Sequence, residues 1–458
     1  MLLAAGVDVG GSSVKAWVHE VGGALRATAT VTTSTSRPGP HRAEFDPDAW
    51  EQAARAALAQ VAAQAGDGDW LGVTVSSLRQ GFVLLDADGR HLGPGILNSD
   101  RRGAPYAGVL SGRYALTGHW PAPELTLPKL LAVQAGEPER WAATRRVLFV
   151  HDWLLWRMCG VQATEASYAC AGAMADVARR AWAVDLLEEC GIGTGRLAPV
   201  VEAGTQVGEL RGGWPLPEHL PVVAGCGDTQ LAAASAGGLA DGVLTVVAGS
   251  SSPVQAATST PVVDPLGRPW VSTHADAALW AVEGNAGYPG SFSGWWQGVS
   301  GAPATDDPGG LVAVTATPYW SQQTWQHKPP WSLVGLSPAT TPAQVRRALL
   351  EAHAFSVAGG VEDLERVLGR ADAVVVAGGA APELAPVLAA VLARPLLLAD
   401  EGGPAAAGAL LVARAVGAHA HRPDVSATQV EPGEPGSLAR RRERWQQVER
   451  ALRTALPE

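Results

Sequence analysis

Apolar runs that end in glycine and serine occur twice along the chain, more than two hundred residues apart. Residues 6–9 lead into Gly10, Gly11, Ser12 and Ser13, and residues 243–247 lead into Gly249, Ser250 and Ser251. Each run is apolar and rich in valine, which predicts a buried strand followed by a tight turn. Such turns leave backbone N–H groups and hydroxyls facing outward, an arrangement that suits a polyphosphate. Two ordinary β-hairpins are the alternative explanation.

Strand-like and helix-like patterns alternate through both halves of the chain. In the first half the pattern predicts a strand hairpin over 6–19, a strand over 25–32, a helix over 47–65, a strand over 71–76, helices between 126 and 190 and a strand over 221–224. In the second half it predicts a helix over 342–368, strands over 373–377 and 395–399 and a helix over 403–416, after a Pro- and Gly-rich loop over 302–342. This alternation predicts the α/β class.

Composition narrows the kind of protein. The chain has 458 residues, enough for two or three domains, and its 47% hydrophobic and 17% charged residues are typical of a globular enzyme. A net charge of −10 disfavours a nucleic-acid partner, and the basic run 440–444 is interpreted as the solvated face of a C-terminal helix. The N terminus lacks the pattern of a signal peptide or a membrane span, so we expect a cytoplasmic protein without a membrane partner.

The positions of the cysteines and lysines argue against a CxxC site and against a lysine-containing phosphate loop. The four cysteines show no CxxC spacing, so we expect reduced thiols within the core. The only lysines are Lys15, Lys129 and Lys328, and none of them follows a glycine. The chain therefore has no GxxxxGK[ST] phosphate loop, and any nucleotide must be bound by other means.

Taken in order, these segments resemble the FGGY carbohydrate kinases, members of the actin-like, ribonuclease H-like ATPase superfamily. The resemblance extends from residue 6 to about residue 416 and is carried by the turn from Asp8 to Lys15, the pair Gln80-Gly81, the region of Asp100, residues 225–230, the second Gly-Ser turn, the turn 378–380 and residues 405–413. It implies two ribonuclease H-like domains, 1–238 and 239–420, with a nucleotide cleft between them, and a C-terminal tail with a helix, 421–458.

The resemblance also implies an ATP- and Mg²⁺-dependent phosphotransferase. The residues it assigns to the phosphates are Gly11, Ser12, Ser13, Lys15, Gly249, Ser250 and Ser251, and those it assigns to adenosine are Gly378, Gly379 and Ala380. Asp8 matches the carboxylate that holds magnesium through water, and Asp228 matches the general base. Each assignment has a structural alternative. Asp8 could cap its own turn, Asp228 could be a helix N-cap, and residues 378–380 could form a plain strand-to-helix turn.

The compound that would accept the phosphoryl group is less well defined, because the segments that bind the sugar in this family depart here from the family pattern. Many relatives carry Gln-Met-His-Gly or Gln-Arg-Glu where this chain has Leu78-Arg79-Gln80-Gly81. The Trp-x-Asp-x-Arg stretch keeps Asp100 but has Asn98 in place of the tryptophan, and a Gly-Glu-Arg segment is missing between 296 and 333. We expect Arg79, Gln80 and Asp100 to bind the substrate, a small ketose or polyol, with a pentulose such as xylulose as first choice.

Two other functions stay open at this point. An actin-like ATPase that acts as a chaperone or filament would share the phosphate turns, but it would have no use for Arg79, Gln80 and Asp100. A catalytically weak sensor of sugar and nucleotide would not need both Asp8 and Asp228. For the kinase we expect a monomer or a homodimer.

Overall fold

The computed structural model describes residues 1–285, 287–305, 307–315, 331–399, 404–419, 427–434 and 436–455. In chain order, the elements of the first half are β1 (Leu2–Val9), β2 (Ser13–Glu20), β3 (Leu25–Thr32), β4 (Glu44–Phe45), α1 (Pro47–Gln64), β5 (Asp69–Ser77), β6 (Phe82–Leu85), β7 (Gly95–Ile96), α2 (Tyr114–Thr117), α3 (Thr126–Gly136), α4 (Pro138–Ala143), β8 (Arg146–Phe149), α5 (Val150–Cys159), β9 (Thr164–Glu165), α6 (Ala166–Ala171), β10 (Ala175–Asp176), β11 (Ala181–Trp182), α7 (Val184–Glu189), β12 (Val200–Val201), β13 (Gln206–Glu209), β14 (Pro221–Gly227) and α8 (Asp228–Ser235). Two 3₁₀ turns, Ala104–Leu110 and Thr194–Arg196, complete this half.

The first half is built on a six-stranded sheet of order β13-β14-β5-β1-β2-β3. β1, β2 and β3 are consecutive antiparallel strands, whereas β5 pairs parallel to β1 and β14 pairs parallel to β5. Because β1, β5 and β14 run in the same direction, their carboxyl ends meet at one edge of the sheet. Helices α1 and α5 supply Leu58, Val61 and Trp153 to the core on one face of this sheet.

The second half repeats this plan. Its elements are β15 (Val243–Val247), β16 (Pro253–Thr258), β17 (Trp270–Thr273), β18 (Trp280–Asn285), α9 (Pro289–Ser300), β19 (Val312–Val314), β20 (Ser332–Val334), α10 (Pro342–Leu368), β21 (Ala373–Ala377), α11 (Ala381–Leu392), β22 (Leu396–Ala399), α12 (Ala405–Ala415), β23 (Ala427–Val430) and α13 (Leu438–Ala455). They form a seven-stranded sheet of order β17-β18-β16-β15-β21-β22-β23. β15 corresponds to β1, because antiparallel strands lie on one side of it and the parallel strands β21 and β22 lie on the other.

Helix α12 belongs to the second half of the chain but packs on the sheet of the first half. Ala405, Ala409 and Val412 share a buried cluster with Trp17 of β2. Two glycines make room for the indole, since a Cβ on Gly6 would lie 2.0 Å from Trp17 Cζ2 and one on Gly408 would lie 2.4 Å from it. This packing joins the two halves on the face of the first sheet that α12 covers.

The predicted α/β class is confirmed, and most predicted elements are present. The helix predicted over 342–368 and the strand predicted over 373–377 have the bounds of α10 and β21. Pro342 at the first position of α10 and the capping box between Thr341 and Gln344 explain the sharp start of that helix. The division into domains at 238 and 420 stays a prediction. The segment predicted as a tail is partly integrated, because β23 pairs with β22 and Trp445 packs on Phe355.

The structure corrects one detail predicted from the sequence. The stretch 302–342 is not only loop, because β19 and β20 form a small antiparallel sheet there, while Trp320 and Trp325 lie outside the described residues. Gly403, predicted as the start of a helix, also lies outside the described residues. All four cysteines are free, and Cys190 is the one that is partly exposed. Within the described ranges, no helix combines the length and hydropathy needed to cross a membrane.

The close packing of α12 on Trp17 predicts that Gly408→Ala destabilises the protein. The new methyl group would overlap the buried indole, and such overpacking costs about 1–3 kcal/mol of unfolding free energy. Urea titration followed by tryptophan fluorescence measures it. Gly136→Ala is the matched control, because a Cβ at this last residue of α3 meets no atom within 4 Å. Equal stability of Gly408→Ala and wild type would show that α12 does not pack on Trp17 as described.

Candidate functional site

The carboxyl ends of β1, β5 and β14 bring polar side chains together at one edge of the first sheet. Asp8 of β1 lies beside Ser76 of β5 in the parallel register, and Ser76 Oγ donates a hydrogen bond of 2.8 Å to Asp8 Oδ1. Asp228 is the first residue after β14 and begins α8. Ligands of open α/β sheets bind at this end of parallel strands, so the edge is the expected place for a site.

Asp228 is a carboxylate with altered acidity. Burial raises its pKa to about 6, the charge of Arg79 opposes this increase, and the negative charge of Asp8 adds to it. Its Oδ1 accepts hydrogen bonds from the backbone N–H of Thr229 at 2.7 Å and from Thr229 Oγ1 at 3.2 Å. In the described part of the chain, Oδ2 accepts none. Asp228 can therefore exist as an ionised base with one oxygen available to a ligand.

Helix α6 holds the ends of β5 and β14 in place. The hydroxyl of Tyr168 accepts a hydrogen bond of 2.8 Å from the N–H of Ser77 and donates one of 2.9 Å to the carbonyl of Cys226. Ser167 Oγ accepts a hydrogen bond of 3.0 Å from the N–H of Gly227 and donates to Glu165. All of these side chains are fully buried. The two strand ends are thereby tied together immediately before Asp228.

The first Gly-Ser turn is closed by a backbone hydrogen bond of 2.9 Å from the N–H of Gly10 to the carbonyl of Ser13. Gly11 and Ser12 at its tip are exposed, and Ser13 is half-buried. Lys15 lies on β2, exposed and directly opposite Asp8 in the antiparallel register. Burial raises the pKa of Asp8, whereas the hydrogen bond from Ser76 and the charge of Lys15 lower it.

The second Gly-Ser turn and the turn at 378–380 lie side by side, because β15 and β21 are parallel neighbours. The N–H of Ala380 donates to the carbonyl of Ala248 at 3.1 Å. Gly378 has a φ of +100°, and a Cβ there would lie 2.5 Å from that same carbonyl oxygen, so glycine is required. Gly379 faces open space and is exposed. Gly249 and Ser250, on the neighbouring turn, adjoin this surface.

A buried histidine supports the second turn from behind. Ser252, the residue after the turn, shares a hydrogen bond of 2.7 Å between its Oγ and His353 Nε2 of α10. Burial lowers the pKa of His353 to about 3, so the imidazole is neutral at physiological pH. The turn is therefore anchored without adding a positive charge next to the proposed phosphates.

Gln80, three residues after the end of β5, has an unusual backbone conformation. Its φ is +66°, a left-handed conformation that costs free energy for a side-chain-bearing residue. Its carbonyl accepts hydrogen bonds from Thr126 Oγ1 at 3.0 Å and from Lys129 Nζ at 2.9 Å, and these hold the conformation. Lys129 is fully buried and also donates to the carbonyl of Leu97 at 2.7 Å. Burial lowers the pKa of Lys129 to about 7.

Asp100, in contrast, is occupied by protein partners. It is fully buried, its Oδ2 accepts a hydrogen bond of 2.7 Å from the N–H of Ala43, and Arg102 binds both of its oxygens at 2.9 Å. These contacts give it a structural role in its loop. Its predicted contact with the substrate stays a prediction, whereas Gln80 has no side-chain hydrogen bond in the described part of the chain.

Arg79 makes a contact that links the two halves. Its Nη1 and Nη2 each lie 2.9 Å from an oxygen of Glu283 on β18, and both side chains are buried. Burial alone would lower the pKa of Arg79, but the charge of Glu283 raises it above the usual value. Tyr288, which precedes α9, is influenced by the charges of Glu124, Arg79, Asp228 and Glu283.

The sequence analysis missed several of these residues. Glu283 is a carboxylate within an apolar strand pattern, which could have indicated a special role. The fully buried His119 lies near Arg79 and Glu283, and burial lowers its pKa to about 4. Tyr168 and Lys129 carried no local signal of function. The structure therefore brings Asp8, Asp228 and Arg79 together at one edge of the first sheet, and in the second half it places the second Gly-Ser turn beside the turn at 378–380.

A duplicated sheet of this order, with glycine turns in both halves, is the architecture of the two-domain actin-like ATPase superfamily. The sequence model of the N-terminal domain of the FGGY family of carbohydrate kinases matches residues 3–235. The chain belongs to this family, as the sequence predicted, and it is a sugar kinase, a phosphotransferase that uses ATP.

Known proteins of this family are similar to the chain. The xylulose kinase of Escherichia coli (strain K12) is 28% identical over 395 residues, which cover 82% of this chain and 81% of that protein. The crystal structure of a xyloylose kinase from Brucella ovis matches with a TM-score of 0.85 and 25% identity, covering 99% of this chain and all of that one. Plasmodium falciparum glycerol kinase with ADP shares the fold, with a TM-score of 0.82, 15% identity, and coverage of 100% and 99%.

The open position of Gly379 predicts that Gly379→Val impairs ATP binding without destabilising the fold. The protein has room for the valine, but a bound adenosine lying against the backbone would collide with it. We expect a higher KM for ATP, an unchanged KM for the sugar and an unchanged Tm, measured by steady-state kinetics and thermal unfolding. Gly378→Val should instead lower the Tm, because of its positive φ and its contact with Ala248. Unchanged ATP kinetics in Gly379→Val would remove this turn from the nucleotide site.

Proposed function

We propose that this protein transfers the γ-phosphoryl group of ATP to a hydroxyl of a small ketose or polyol, with a pentulose such as xylulose as the preferred acceptor. The observation that carries the proposal is Asp228, a half-buried carboxylate with a pKa of about 6 next to Arg79 and Asp8. The names of the relatives from Escherichia coli and Brucella ovis favour a pentulose. The cellular supply of ATP and free sugar favours a cytoplasmic location, and we propose a monomer or a homodimer.

The proposed mechanism assigns proton transfer to Asp228. Asp228 Oδ2 accepts the proton of the acceptor hydroxyl as that oxygen forms its bond to phosphorus and the bond to the leaving ADP oxygen breaks. A base works best when its pKa is near the working pH, and the burial of Asp228 provides this. Arg79 and the amide of Gln80 orient the acceptor hydroxyls.

The described residues fit ATP and magnesium. The phosphates and the adenine have room beside the exposed backbone of Gly11, Ser12 and Gly379 and beside the half-buried Gly249. No group of three or more acidic, histidine or cysteine side chains in the described ranges is arranged to hold a metal, but Mg²⁺ bound with phosphates needs only one or two protein carboxylates. Asp8, oriented by Ser76, is the proposed ligand through water. When bound, ATP supplies the phosphoryl group and Mg²⁺ neutralises its charge.

An actin-like chaperone or filament is a less suitable function. The chain belongs to the sugar-kinase family, and a filament protein would need neither Arg79 nor Gln80 as a sugar ligand. A sensor without turnover would not need Asp228 with a raised pKa. Both alternatives predict that no sugar accelerates the release of ADP.

The proposed function predicts sugar-dependent release of ADP. A coupled assay over pentuloses, hexuloses, polyols and sugar acids should give the highest kcat/KM with a pentulose, the acceptor that the names of the relatives favour. Mass spectrometry of the product identifies the phosphorylated compound. If no sugar or polyol raises ADP release above the rate with ATP alone, the proposed function is wrong.

The role of Asp228 predicts a large loss of kcat in Asp228→Asn. Asparagine keeps the size and much of the hydrogen bonding but cannot take the proton, so kcat should fall by about 10² to 10⁴. The wild-type kcat should fall about tenfold per pH unit below pH 6, because Asp228 is protonated there, and this dependence should vanish in the variant. The measurement is steady-state kinetics from pH 5 to 8.

Asp8→Asn is the control for this test. Its defect should decrease as the Mg²⁺ concentration rises, because its charge serves the metal. Excess Mg²⁺ should not restore Asp228→Asn. If it did, Asp228 would be a metal-site residue and another group would be the base.

A further inference from the structure

We infer that Glu283 determines acceptor specificity: by pairing with Arg79 it neutralises the cation beside the base, so that the site accepts uncharged polyhydroxy compounds and rejects sugar acids. This inference rests on the proposed function and names the residue that would set its substrate class. The supporting observations are the geometry of the Arg79–Glu283 pair, its place next to Asp228 and the charges that surround it.

The geometry of the pair leaves little of the Glu283 charge for other partners. Glu283 lies on β18 and is 3% exposed, and each of its oxygens lies 2.9 Å from one nitrogen of Arg79. Gln255 of β16, which pairs with Glu283 in the strand register, donates from Nε2 to Glu283 Oε2 at 2.5 Å. A bidentate, buried contact of this kind fixes both partners and removes the positive charge of Arg79 as a binding site for an anion.

Arg79 is a cation close to the proposed base. It lies just after β5, the strand whose carboxyl end adjoins Asp8 and Asp228, and its side chain packs against the backbone of Gly227 next to the base. A carboxylate brought into such a site loses its hydration, which is costly unless a cation compensates for it. Because Arg79 is already paired with Glu283, the carboxylate of a sugar acid would lose its hydration without gaining an ion pair.

The other charges around the site reinforce the same preference. Asp8 and Asp228, at the carboxyl ends of β1 and β14, lie on the same edge of the first sheet as Arg79, whose own charge is paired with Glu283. An anionic acceptor would therefore face an excess of negative charge, and repulsion of a wrong ligand is a common source of specificity.

A purely structural role of Glu283 makes a different prediction. If the pair only held the two halves together, its loss would lower stability and the activity toward every acceptor in proportion. Specificity is instead measured by the ratio of kcat/KM for a neutral acceptor to kcat/KM for an acid of equal carbon number. A change in that ratio cannot be produced by a uniform loss of folded protein.

The test compares xylulose with xylonate in wild type and in Glu283→Gln. Glutamine keeps the size and can still accept a hydrogen bond from Arg79, but it leaves the guanidinium charge uncompensated. We expect the ratio of kcat/KM for xylulose to that for xylonate to fall at least about tenfold, which corresponds to about 1.4 kcal/mol. In the double variant Arg79→Gln with Glu283→Gln the cation is gone as well, so xylonate should lose the advantage it gained in the single variant.

Asp264→Asn is the matched control. Asp264 is also a buried carboxylate in the second half, paired with Arg268 at 2.8 Å, but it belongs to a different pair. Its loss should leave the xylulose-to-xylonate ratio unchanged. A Glu283→Gln protein that folds, as judged by its Tm, and keeps the wild-type ratio would overturn the inference.

A measurement on the wild-type protein covers the case in which Glu283→Gln does not fold. Xylonate should inhibit phosphorylation of xylulose at least about tenfold more weakly than xylitol, its uncharged counterpart, because Arg79 offers xylonate no free charge. Equal or stronger inhibition by xylonate would contradict the role of Glu283 while leaving the kinase activity intact. If wild type phosphorylates no sugar at all, the proposed function fails, and the inference built on it fails too.

Discussion

The parallel pairing of β1, β5 and β14 is the constraint on which the site depends. The backbone hydrogen bonds of these three strands place their carboxyl ends at one edge of the sheet, which puts Asp8, Ser76 and the start of α8 within reach of one another. The pairing of β15 with β21 repeats the arrangement in the second half and brings two glycine turns together. Each half thus provides one edge, and the proposed reaction takes place between them.

Burial of charge is the second organising feature. The free-energy cost of burying a charged group is compensated differently for Arg79 and for Lys129. Arg79 is paired with Glu283, whereas Lys129 is held by two carbonyls, from Gln80 and Leu97, and has its pKa lowered to about 7. A neutral lysine still has two N–H donors for those two carbonyls. Lys129 can therefore support the strained backbone of Gln80 whether or not it carries a proton.

Much of the fold and part of the site follow from local sequence patterns. The positions of the Gly-Ser turns, Asp8 and Asp228 could be predicted because each lies at or just after the end of a strand whose apolar pattern is clear. The first residue of α10 could be predicted because Thr341 and Pro342 define the start of the helix. The placement of α12 on the first sheet could not be predicted, because nothing in residues 405–415 indicates that Gly408 faces Trp17.

Contacts between distant segments account for most of what the sequence did not predict. Arg79 and Glu283 are 204 residues apart, so no local pattern links them. Asp100 shows a different limit: the family pattern predicts a substrate ligand there, the structure shows Ala43 and Arg102 bound to its carboxylate, and its contact with the substrate stays a prediction. A polar residue after a strand can serve either the substrate or its own loop, and only the positions of its partners distinguish these roles.

The pairing of Arg79 also bears on the acidity of the base. Arg79 lowers the pKa of Asp228, while burial and Asp8 raise it, and the result is about 6. An unpaired guanidinium at the same position would favour the ionised form of Asp228 more strongly and make it a weaker base. Because Glu283 draws both Nη atoms of Arg79 toward itself, it limits this effect. One carboxylate from the second half therefore influences both the charge that the acceptor meets and the readiness of Asp228 to take its proton.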